Sequence, residues 1–318
     1  MTATGSLRPL GATGLRVSPI TLGGGPLGSM PENFGYDVAE RDAIDLVRAV
    51  LDSPIRTIDT SNGYSAGRSE QRIGAGIAEH GGLPDDVVVI TKVDPSGDDY
   101  SGDRVRRSLE ESRTRLGIDP LPLVHLHDPE YHDFAAITGP GGALEALVAA
   151  RESGEIGSLG LAGGDVREMS RYLELGVFDV VLVHNRWTLV DRSAGPLLER
   201  AAELGVGVVN AAVLGGGILA DPTGRITRYG YREASPATLA AVESLRRVCR
   251  AWGTDLATAA IRFSTRQERI GSTVVGISRI ERLTPTLAAA EIELPDEFWA
   301  ELESHLPTPD NWLDAPST

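Results

Sequence analysis

The stretch Arg-Thr-Ile-Asp-Thr-Ser-Asn-Gly-Tyr at residues 56–64 joins a short apolar strand to a polar loop. The strand, from Ile55 to Ile58, has the continuous apolar character of a parallel sheet that is covered on both faces. Asp59 and Tyr64 follow it within one turn of loop. A carboxylate and a phenol this close together can act on a proton, provided that a cation lowers the phenol pKa from about 10 towards neutrality.

Apolar strand patterns alternate with amphipathic helix patterns on both sides of this stretch. The strands are predicted at residues 20–23, 55–59, 87–92, 122–126, 156–161, 179–183, 206–210 and 272–275. The helices are predicted at residues 39–51, 69–79, 102–116, 142–153, 165–174, 193–204, 236–251, 255–265 and 280–290. Each strand and the helix or helices after it form one βα unit. Eight such units without a break in composition predict an α/β protein built as a closed (β/α)8 TIM barrel.

Two further elements lie outside the eight repeats. Residues 7–20 predict an N-terminal β-hairpin cap, with strands at 7–10 and 15–20 around a Gly11–Gly14 turn. Leu294-Pro295-Asp296 predicts the start of one extra C-terminal helix that ends near Leu306. No linker-like segment divides the chain, so residues 1–318 are predicted to form a single barrel domain.

Composition and charge exclude several classes of partner. The chain has 318 residues and a net charge of −15, whereas a surface that binds nucleic acid is basic. Cys249 is the only cysteine, so neither a disulfide framework nor a Cys-rich metal site is expected. No apolar run approaches the ~18 residues of a membrane span, and residues 1–20 lack the apolar core of a signal peptide. We therefore expect a cytoplasmic protein with no nucleic-acid and no membrane partner.

Two later strands end in residues that complement the carboxylate and the phenol. Val-Val-Val-Ile-Thr-Lys at residues 87–92 ends in Lys92, and Leu-Val-His-Leu-His-Asp at residues 123–128 carries His127. Since the carboxyl ends of barrel strands share one rim, Asp59, Lys92 and His127 are expected side by side. We expect Lys92 to pair with Asp59 and to favour the ionised form of Tyr64. Tyr64 would then exchange a proton with a substrate oxygen that His127 orients.

In their order along the chain, Asp59, Tyr64, Lys92 and His127 resemble the catalytic tetrad of the aldo-keto reductases, and the resemblance extends from about residue 7 to residue 306. It implies an NAD(P)-dependent oxidoreductase that transfers hydride between a nicotinamide and a carbonyl or alcohol. The segments at 184–189 and 209–212 are similar to the branch of aldose dehydrogenases that act on fucose- or galactose-like sugars. The implied partner is a small carbonyl compound or sugar; the direction of reaction and the oligomeric state stay open.

The resemblance also implies an extended cofactor site along the rim. Its residues are Gly23 and Gly24 at the nicotinamide ribose, Ala162, Gly163 and Asn185 at the carboxamide, Leu214 and Gly216 over the pyrophosphate, and Gly276, Ile277, Ser278 and Arg282 around the adenosine. The expected cofactor is NADP or NAD. The family favours NADP, but Ser278 stands where a Lys or Arg would suit a 2′-phosphate, so both cofactors stay open.

Aromatic and hydrogen-bonding side chains on the same rim are typical of a pocket for a polyol ring. The candidates are Asn33 and Phe34 after the first barrel strand, Tyr131 after the fourth, Trp187 after the sixth, and Trp312 in the C-terminal tail. The long loop at residues 214–235 either closes over this pocket or is an ordinary mobile loop.

Two other patterns match motifs of proteins with different functions. Gly-Gly-Gly-Pro-Leu-Gly at residues 23–28 matches a dinucleotide fingerprint, but Pro26 and loop residues stand where the helix should begin. His125 and His127 share one strand face, as in metal-dependent barrel hydrolases with His184 as a third ligand, but the remaining ligands are missing and no metal is expected. His125 is expected to be a neutral, hydrogen-bonded interior residue. A non-catalytic redox sensor that binds a nicotinamide for a partner protein is the last alternative.

Overall fold

The structure, a computed structural model, describes residues 6–31 and 35–315 of the chain. Its strands are β1 (Arg8–Pro9), β2 (Arg16–Val17), β3 (Ile20–Gly23), β4 (Thr57–Asp59), β5 (Val88–Val93), β6 (Leu121–His127), β7 (Ile156–Gly163), β8 (Val180–His184), β9 (Gly207–Ala211), β10 (Arg228–Tyr229), β11 (Arg232–Glu233) and β12 (Ser272–Gly276). Its α-helices are α1 (Glu40–Leu51), α2 (Arg68–His80), α3 (Gly102–Leu116), α4 (Phe134–Thr138), α5 (Ala143–Ser153), α6 (Val166–Leu173), α7 (Gly195–Glu203), α8 (Pro236–Ala251), α9 (Leu256–Thr265), α10 (Leu283–Glu291) and α11 (Asp296–Glu303).

Eight of these strands form a closed barrel in the order β12-β3-β4-β5-β6-β7-β8-β9. Every pair in it is parallel, and β12 pairs with both β3 and β9. The prediction of a (β/α)8 TIM barrel is therefore confirmed. Residues along each strand alternate between two apolar layers, since side chains in a strand point to opposite faces. Ile90 and Leu123 belong to the cluster inside the barrel, and Val89 and Val124 to the cluster that packs under the helices.

Short polar residues and glycine set the ends of several helices. The side chains of Ser101, Asp165 and Asp255 each accept a hydrogen bond from a backbone N–H in the first turn of α3, α6 and α9. Such N-caps satisfy donors that have no partner within the helix. Gly117 ends α3 with a φ of 68°, a left-handed conformation that glycine adopts without steric cost.

The N-terminal hairpin closes the end of the barrel opposite to the rim of strand ends. Strands β1 and β2 are antiparallel, with Arg8 opposite Val17. The turn is tied to the loop before β9, because the N–H of Ala12 donates to the carbonyl of Gly205 at 3.1 Å. Leu10 is fully buried and belongs to the interior cluster together with Val209. The predicted cap is present, although its strands have only two residues each.

The extra C-terminal helix is present as α11, which ends at Glu303 rather than near Leu306. Phe298 and Trp299 pack it into an apolar cluster with Leu245 of α8 and Leu256 of α9. The sequence did not predict the short helix α4 or the hairpin of β10 and β11. Within the described residues, no helix has the length and apolar character needed to cross a membrane. That residues 1–318 form a single domain stays a prediction.

Replacing Leu10 with Ala should lower the free energy of unfolding by about 2–5 kcal/mol, because it leaves a cavity at the closed end of the barrel. Chemical denaturation with circular dichroism measures the change. Leu7→Ala, at a half-buried position of the same hairpin, should cost clearly less. Equal losses in the two variants would show that the hairpin does not plug the barrel through Leu10.

Candidate active site

Lys92 and Asp59 form a salt bridge inside the barrel rim. The Nζ atom of Lys92 lies 2.7 Å from Oδ1 of Asp59 and 2.6 Å from the carbonyl oxygen of Thr60. Asp59 lies on β4 and is 3% exposed, and Lys92 lies on the adjacent strand β5 and is 1% exposed. The same nitrogen lies 3.4 Å from the hydroxyl of Tyr64. The structure thus brings together the carboxylate, ammonium and phenol that the sequence singled out.

The acidity of Tyr64 differs from the expectation. Burial raises the pKa of the Tyr64 phenol well above its ordinary value, and the negative charge of Asp59 raises that pKa further. The sequence predicted the opposite effect, because Lys92 was expected to favour the phenolate. In the structure the ammonium charge is largely compensated by the carboxylate that it contacts, so the phenol experiences a nearly neutral pair. The structure therefore favours the protonated form of the Tyr64 phenol.

His127, at the end of β6, is the second polar group beside Tyr64. The two rings meet edge to face with their centroids 5.8 Å apart. Nδ1 of His127 donates to Oδ1 of Asp94 at 2.6 Å. Burial alone would lower the pKa of His127, but the negative charges of Asp94 and Asp128 outweigh burial and raise it. Because Asp94 engages Nδ1, the other ring nitrogen, Nε2, is left to contact a ligand.

Asp94 is a functional residue that the sequence analysis missed. It lies two positions after Lys92, just past the end of β5, and its second oxygen accepts from the hydroxyl of Ser61 and from the N–H of Gly63 at 2.6 Å. Asp94 therefore connects the imidazole of His127 to the loop that carries Tyr64. An acidic residue that follows so soon after a strand-end lysine was the available signal.

The loop between β4 and Tyr64 is held from outside the barrel by charged side chains of α2 and α3. Arg104 donates to the side-chain oxygen of Asn62 at 2.7 Å and pairs with Glu111 at 3.0 Å. Arg115 donates to the carbonyl of Asn62 at 3.2 Å and to the buried carboxylate of Glu70 at 3.2 Å. These contacts fix the backbone of the loop, because Asn62 is bound through both its side chain and its carbonyl.

His125 lies one layer below the rim and is fully buried. Its ring packs over Gly160 of β7, where an added Cβ would lie 2.1 Å from Nδ1 of His125. Burial lowers the pKa of His125 well below its ordinary value, and the charges of Lys92 and His127 lower it further, so the ring is neutral as expected. That it is hydrogen-bonded stays a prediction. Neither ring nitrogen meets a partner at full hydrogen-bond geometry among the described residues, while a backbone hydrogen bond with Leu161 is the one effect that raises its pKa.

Asp128, Glu130 and His184 form a polar group at the mouth that the sequence analysis did not assemble. One ligand-type atom from each lies within 4.8 Å of the others, the spacing of a potential cation site. Glu130 already has a structural role, because its Oε1 accepts from the N–H of Gly164 and from that of Asp165 at 3.2 Å. The signal in the sequence was the pair of acidic residues in Asp-Pro-Glu, directly after the end of a strand, which are Asp128 and Glu130.

The loop at 214–235 folds over the mouth. Its hairpin of β10 and β11 turns at Gly230 and Tyr231, which both have positive φ. The ring of Tyr231 meets His184 edge to face at 5.9 Å. The C-terminal tail lies against this hairpin, because Leu313 contacts Gly230 and Asp314 forms a salt bridge with Arg186 at 3.1 Å.

Strand register places many of the predicted cofactor residues on the same rim. Gly23 is the neighbour of both Asp59 and Gly276, and Ala162 is the neighbour of His127. Gly163 is the last residue of β7. The other predicted residues follow the ends of strands β3, β8, β9 and β12: Gly24, Asn185, Leu214, Gly216, Ile277, Ser278 and Arg282.

Two observations fit a dinucleotide along this rim. Asn185 is 1% exposed, and its side-chain oxygen has no hydrogen-bond partner within the described ranges, as suits a group that binds an amide. Gly216 has a φ of 71° with open space beside it, so its loop can approach a phosphate with its backbone. Gly24 and Gly163, by contrast, are explained by packing, since an added Cβ would lie 2.8 Å from the Asp59 carbonyl and 2.5 Å from the Glu130 carboxylate, respectively.

The predicted substrate residues have different surroundings. Tyr131 is 74% exposed at the mouth. Trp187 is half-buried, and its ring stacks on Phe263 of α9 with the centroids 5.5 Å apart. Trp312 is half-buried in the tail. Asn33 and Phe34 lie outside the described residues.

Comparison with known proteins agrees with this geometry. Residues 19–307 match the model of the aldo/keto reductase family. The chain belongs to this family. Its members are oxidoreductases that use nicotinamide cofactors, so this aldo/keto reductase is an oxidoreductase with a small carbonyl compound or sugar as its substrate. The holo form of aldo-keto reductase AKR11C1 from Bacillus halodurans has the same fold, with a TM-score of 0.77 at 21% identity over 95% of this chain and 96% of that chain.

Three relatives are each 31% identical in sequence to this chain. One is a pyridoxal 4-dehydrogenase from Microbacterium luteolum, aligned over 93% of this chain and 96% of the relative. The second is an L-galactose dehydrogenase from Arabidopsis thaliana, aligned over 94% of both chains. The third is a D-threo-aldose 1-dehydrogenase from a Pseudomonas species, aligned over 94% of this chain and 97% of the relative.

Replacing Asp94 with Asn should lower the pKa of His127, because the negative charge that favours the imidazolium is removed while the shape is kept. The pH titration of the His127 ring resonances by nuclear magnetic resonance measures this shift. Asp98→Asn, at an exposed position on the same loop, is the matched control and should leave the midpoint in place. An unchanged midpoint in Asp94→Asn would contradict the assigned role of Asp94.

Proposed function

We propose that the chain is an NAD(P)-dependent dehydrogenase that interconverts a carbonyl and an alcohol, and that its substrate is an aldose oxidised at C1. The observation that carries the proposal is the contact of one buried ammonium with both a carboxylate and a phenol. The Nζ atom of Lys92 lies 2.7 Å from Asp59 and 3.4 Å from the hydroxyl of Tyr64. A structural lysine has no need of a phenol beside an already satisfied salt bridge.

Each residue of the site has one role in this proposal. Tyr64 donates a proton to the substrate oxygen in reduction and removes one in oxidation. Lys92 holds the phenol in place and stabilises its negative charge when the proton leaves. Asp59 fixes Lys92, and His127 donates from Nε2 to the same substrate oxygen, which sets the orientation of the reacting carbon. These roles require the imidazole to stay fixed, and Asp94 supplies that restraint.

A nicotinamide supplies the hydride when it is bound, since no side chain can. We propose that Asn185 and Ala162 lie at its carboxamide, that Leu214 and Gly216 cover the pyrophosphate, and that Gly276, Ile277, Ser278 and Arg282 surround the adenosine. We also propose that Gly23, Gly24 and Gly163 lie along the dinucleotide, although packing alone accounts for glycine at the last two positions. Ser278 is half-buried, whereas Arg279 and Arg282 are exposed, so these two arginines are the cations of this segment that could meet a 2′-phosphate. The choice between NADP and NAD is therefore nearly balanced.

The substrate class rests on two of the relatives, which are named for L-galactose and D-threo-aldose oxidation. Tyr131 at the mouth suits the apolar face of a sugar ring, and we propose Asn33, Phe34, Trp187 and Trp312 as further contacts. Pyridoxal is the second candidate, because a pyridoxal 4-dehydrogenase shares the same identity with this chain. The cytoplasmic location stays a prediction from the sequence.

Two alternative functions would require different features of the site. A redox sensor would bind the nicotinamide without turnover, and would not need the contact between Lys92 and Tyr64. A metal hydrolase would need an ion, held either by His125, His127 and His184 as the sequence suggested or by Asp128, Glu130 and His184, so a chelator would abolish its activity. The proposed enzyme should be indifferent to a chelator.

Replacing Tyr64 with Phe should lower kcat at least about 100-fold, because general acid–base catalysis contributes roughly 10²–10⁴ to the rate. The assay is a panel of aldoses, pyridoxal and simple aldehydes with both cofactors, followed by nicotinamide absorbance. Binding of NADH and NADPH, measured by fluorescence, should stay within about twofold of the wild type and serves as the control. If the wild type turns over simple aldehydes but no aldose, the sugar assignment is wrong. If Tyr64→Phe keeps full turnover, the proposed proton donor is wrong.

Replacing Ser278 with Arg should strengthen NADPH binding by about 10- to 100-fold, the effect of a hydrogen bond to a charged group. NADH binding should change little, because NADH lacks the 2′-phosphate. Fluorescence titration with the two cofactors measures both affinities. Ser304→Arg adds the same charge at an exposed site on the C-terminal helix end and should leave both affinities unchanged. An equal gain for NADH would mean that Ser278 does not face the 2′ position.

A further inference from the structure

Asp128 lies between two imidazoles at the mouth of the barrel. Its Oδ1 atom is 3.8 Å from Nε2 of His127 and 3.7 Å from Nε2 of His184. Both separations exceed hydrogen-bond length, so neither ring satisfies this oxygen. Oδ1 is shielded from solvent and has no hydrogen-bond partner in the part of the chain that the structure describes. Although the side chain as a whole is 36% exposed, this one oxygen is left without a donor, which suits an atom that binds a ligand.

The backbone holds Asp128 in this place under strain. Its φ of 46° and ψ of 44° are left-handed, a conformation that Asp and Asn tolerate better than most residues. Its N–H donates to the carbonyl of Ala162 at 2.7 Å, and Pro129 follows directly. Burial opposes ionisation of the side chain, but the nearby His127 and His184 outweigh it and hold the pKa of Asp128 at about 2. The group is therefore a charged acceptor at neutral pH.

His184 complements this acceptor from the end of β8. The side-chain nitrogen of Asn185 lies 3.2 Å from Nδ1 of His184. An amide N–H that donates to Nδ1 leaves Nε2, the nitrogen that faces Asp128, as the hydrogen-bond donor of the ring. A hydroxyl group that binds between these residues can donate to Asp128 and accept from His184 at the same time.

We propose that Asp128 and His184 form a subsite for the hydroxyl group on the carbon next to the reacting carbon. The inference rests on the proposed function, in which Nε2 of His127 binds the reacting oxygen. Oxygens on adjacent carbons lie about one hydrogen-bond length apart. Since Oδ1 of Asp128 is 3.8 Å from the same Nε2, the neighbouring oxygen of a vicinal pair falls within its reach.

The subsite selects a substrate class. Aldoses and other α-hydroxy aldehydes present the required hydroxyl, whereas simple aldehydes leave Asp128 without its donor. A site that is built to bind a hydroxyl rejects the analogue that lacks it, because its own polar groups are then left unpaired. A carboxylate or phosphate at this position would meet the charges of Asp128 and Glu130. The favoured substrate is thus a neutral compound with a hydroxyl next to its carbonyl.

The test compares kcat/KM for glycolaldehyde and acetaldehyde, a pair that differs only in this hydroxyl. The wild type should favour glycolaldehyde by about 10- to 100-fold, the value of a hydrogen bond to a charged acceptor. Asp128→Asn keeps the size and the left-handed preference, and should reduce the ratio to within about threefold, because glycolaldehyde turnover falls more than acetaldehyde turnover. Galactose and 2-deoxygalactose form the corresponding pair for oxidation. His184→Ala should reduce the ratio partly, and Asp98→Asn should leave it unchanged.

The outcomes separate the inference from the function on which it rests. Wild-type turnover with no preference for glycolaldehyde would overturn the inference alone. So would an equal loss for both substrates in Asp128→Asn, because that result would mean that Asp128 acts only by positioning His127. Failure of the wild type to turn over any carbonyl or aldose would overturn the proposed function, and the subsite with it.

Discussion

Lys92 and Asp59 form their salt bridge across two neighbouring strands, in an interior that water does not reach. Removing one partner of such a buried pair leaves an uncompensated charge and typically costs about 3–5 kcal/mol. The barrel can accommodate the pair because the carbonyl of Thr60 gives the ammonium a second acceptor. Burial still raises the pKa of Asp59, and the nearby charge of Lys92 offsets only part of this effect. The site therefore retains a polar interaction that an apolar pair would replace at lower cost, which indicates selection for function rather than for stability.

The position of Tyr64 depends on interactions far from the pair itself. Its loop leaves β4 at Asp59 and is bound on one side by Asp94 and on the other by Arg104 and Arg115. The loop needs these contacts, since Ser65 and Ala66 have positive φ, which side chains with a Cβ adopt only at a cost. The phenol is thus held against Lys92 by a backbone that the surrounding charges keep in a strained conformation.

Sequence reasoning predicted the barrel because its evidence was repetitive: each apolar strand and amphipathic helix supported the next, and strand ends placed Asp59, Lys92 and His127 on one rim. It missed the hairpin of β10 and β11, whose two-residue strands carry no periodic signal. It also missed Asp94, because a carboxylate after a strand end is usually a solvated charge. The prediction that Tyr64 is ionised was wrong for a different reason. Pairwise chemistry gives the effect of Lys92 on a phenol, but not how much of that effect burial and Asp59 cancel.

Each cation of the site faces an acidic partner: Lys92 is bound to Asp59, and His127 to Asp94. Asp128 is different, because it stands near two imidazoles and is within hydrogen-bond length of neither. A site whose charges were all paired would hold a substrate by shape alone and would discriminate weakly between carbonyl compounds. Because one acceptor has no hydrogen-bond partner, a ligand with a hydroxyl group gains a hydrogen bond there that an apolar ligand cannot form. The same arrangement disfavours anions, since the oxygen that is left without a hydrogen-bond donor at the mouth belongs to a carboxylate. The proposed subsite therefore favours a neutral compound with a hydroxyl next to its carbonyl, on grounds that do not depend on the names of the relatives.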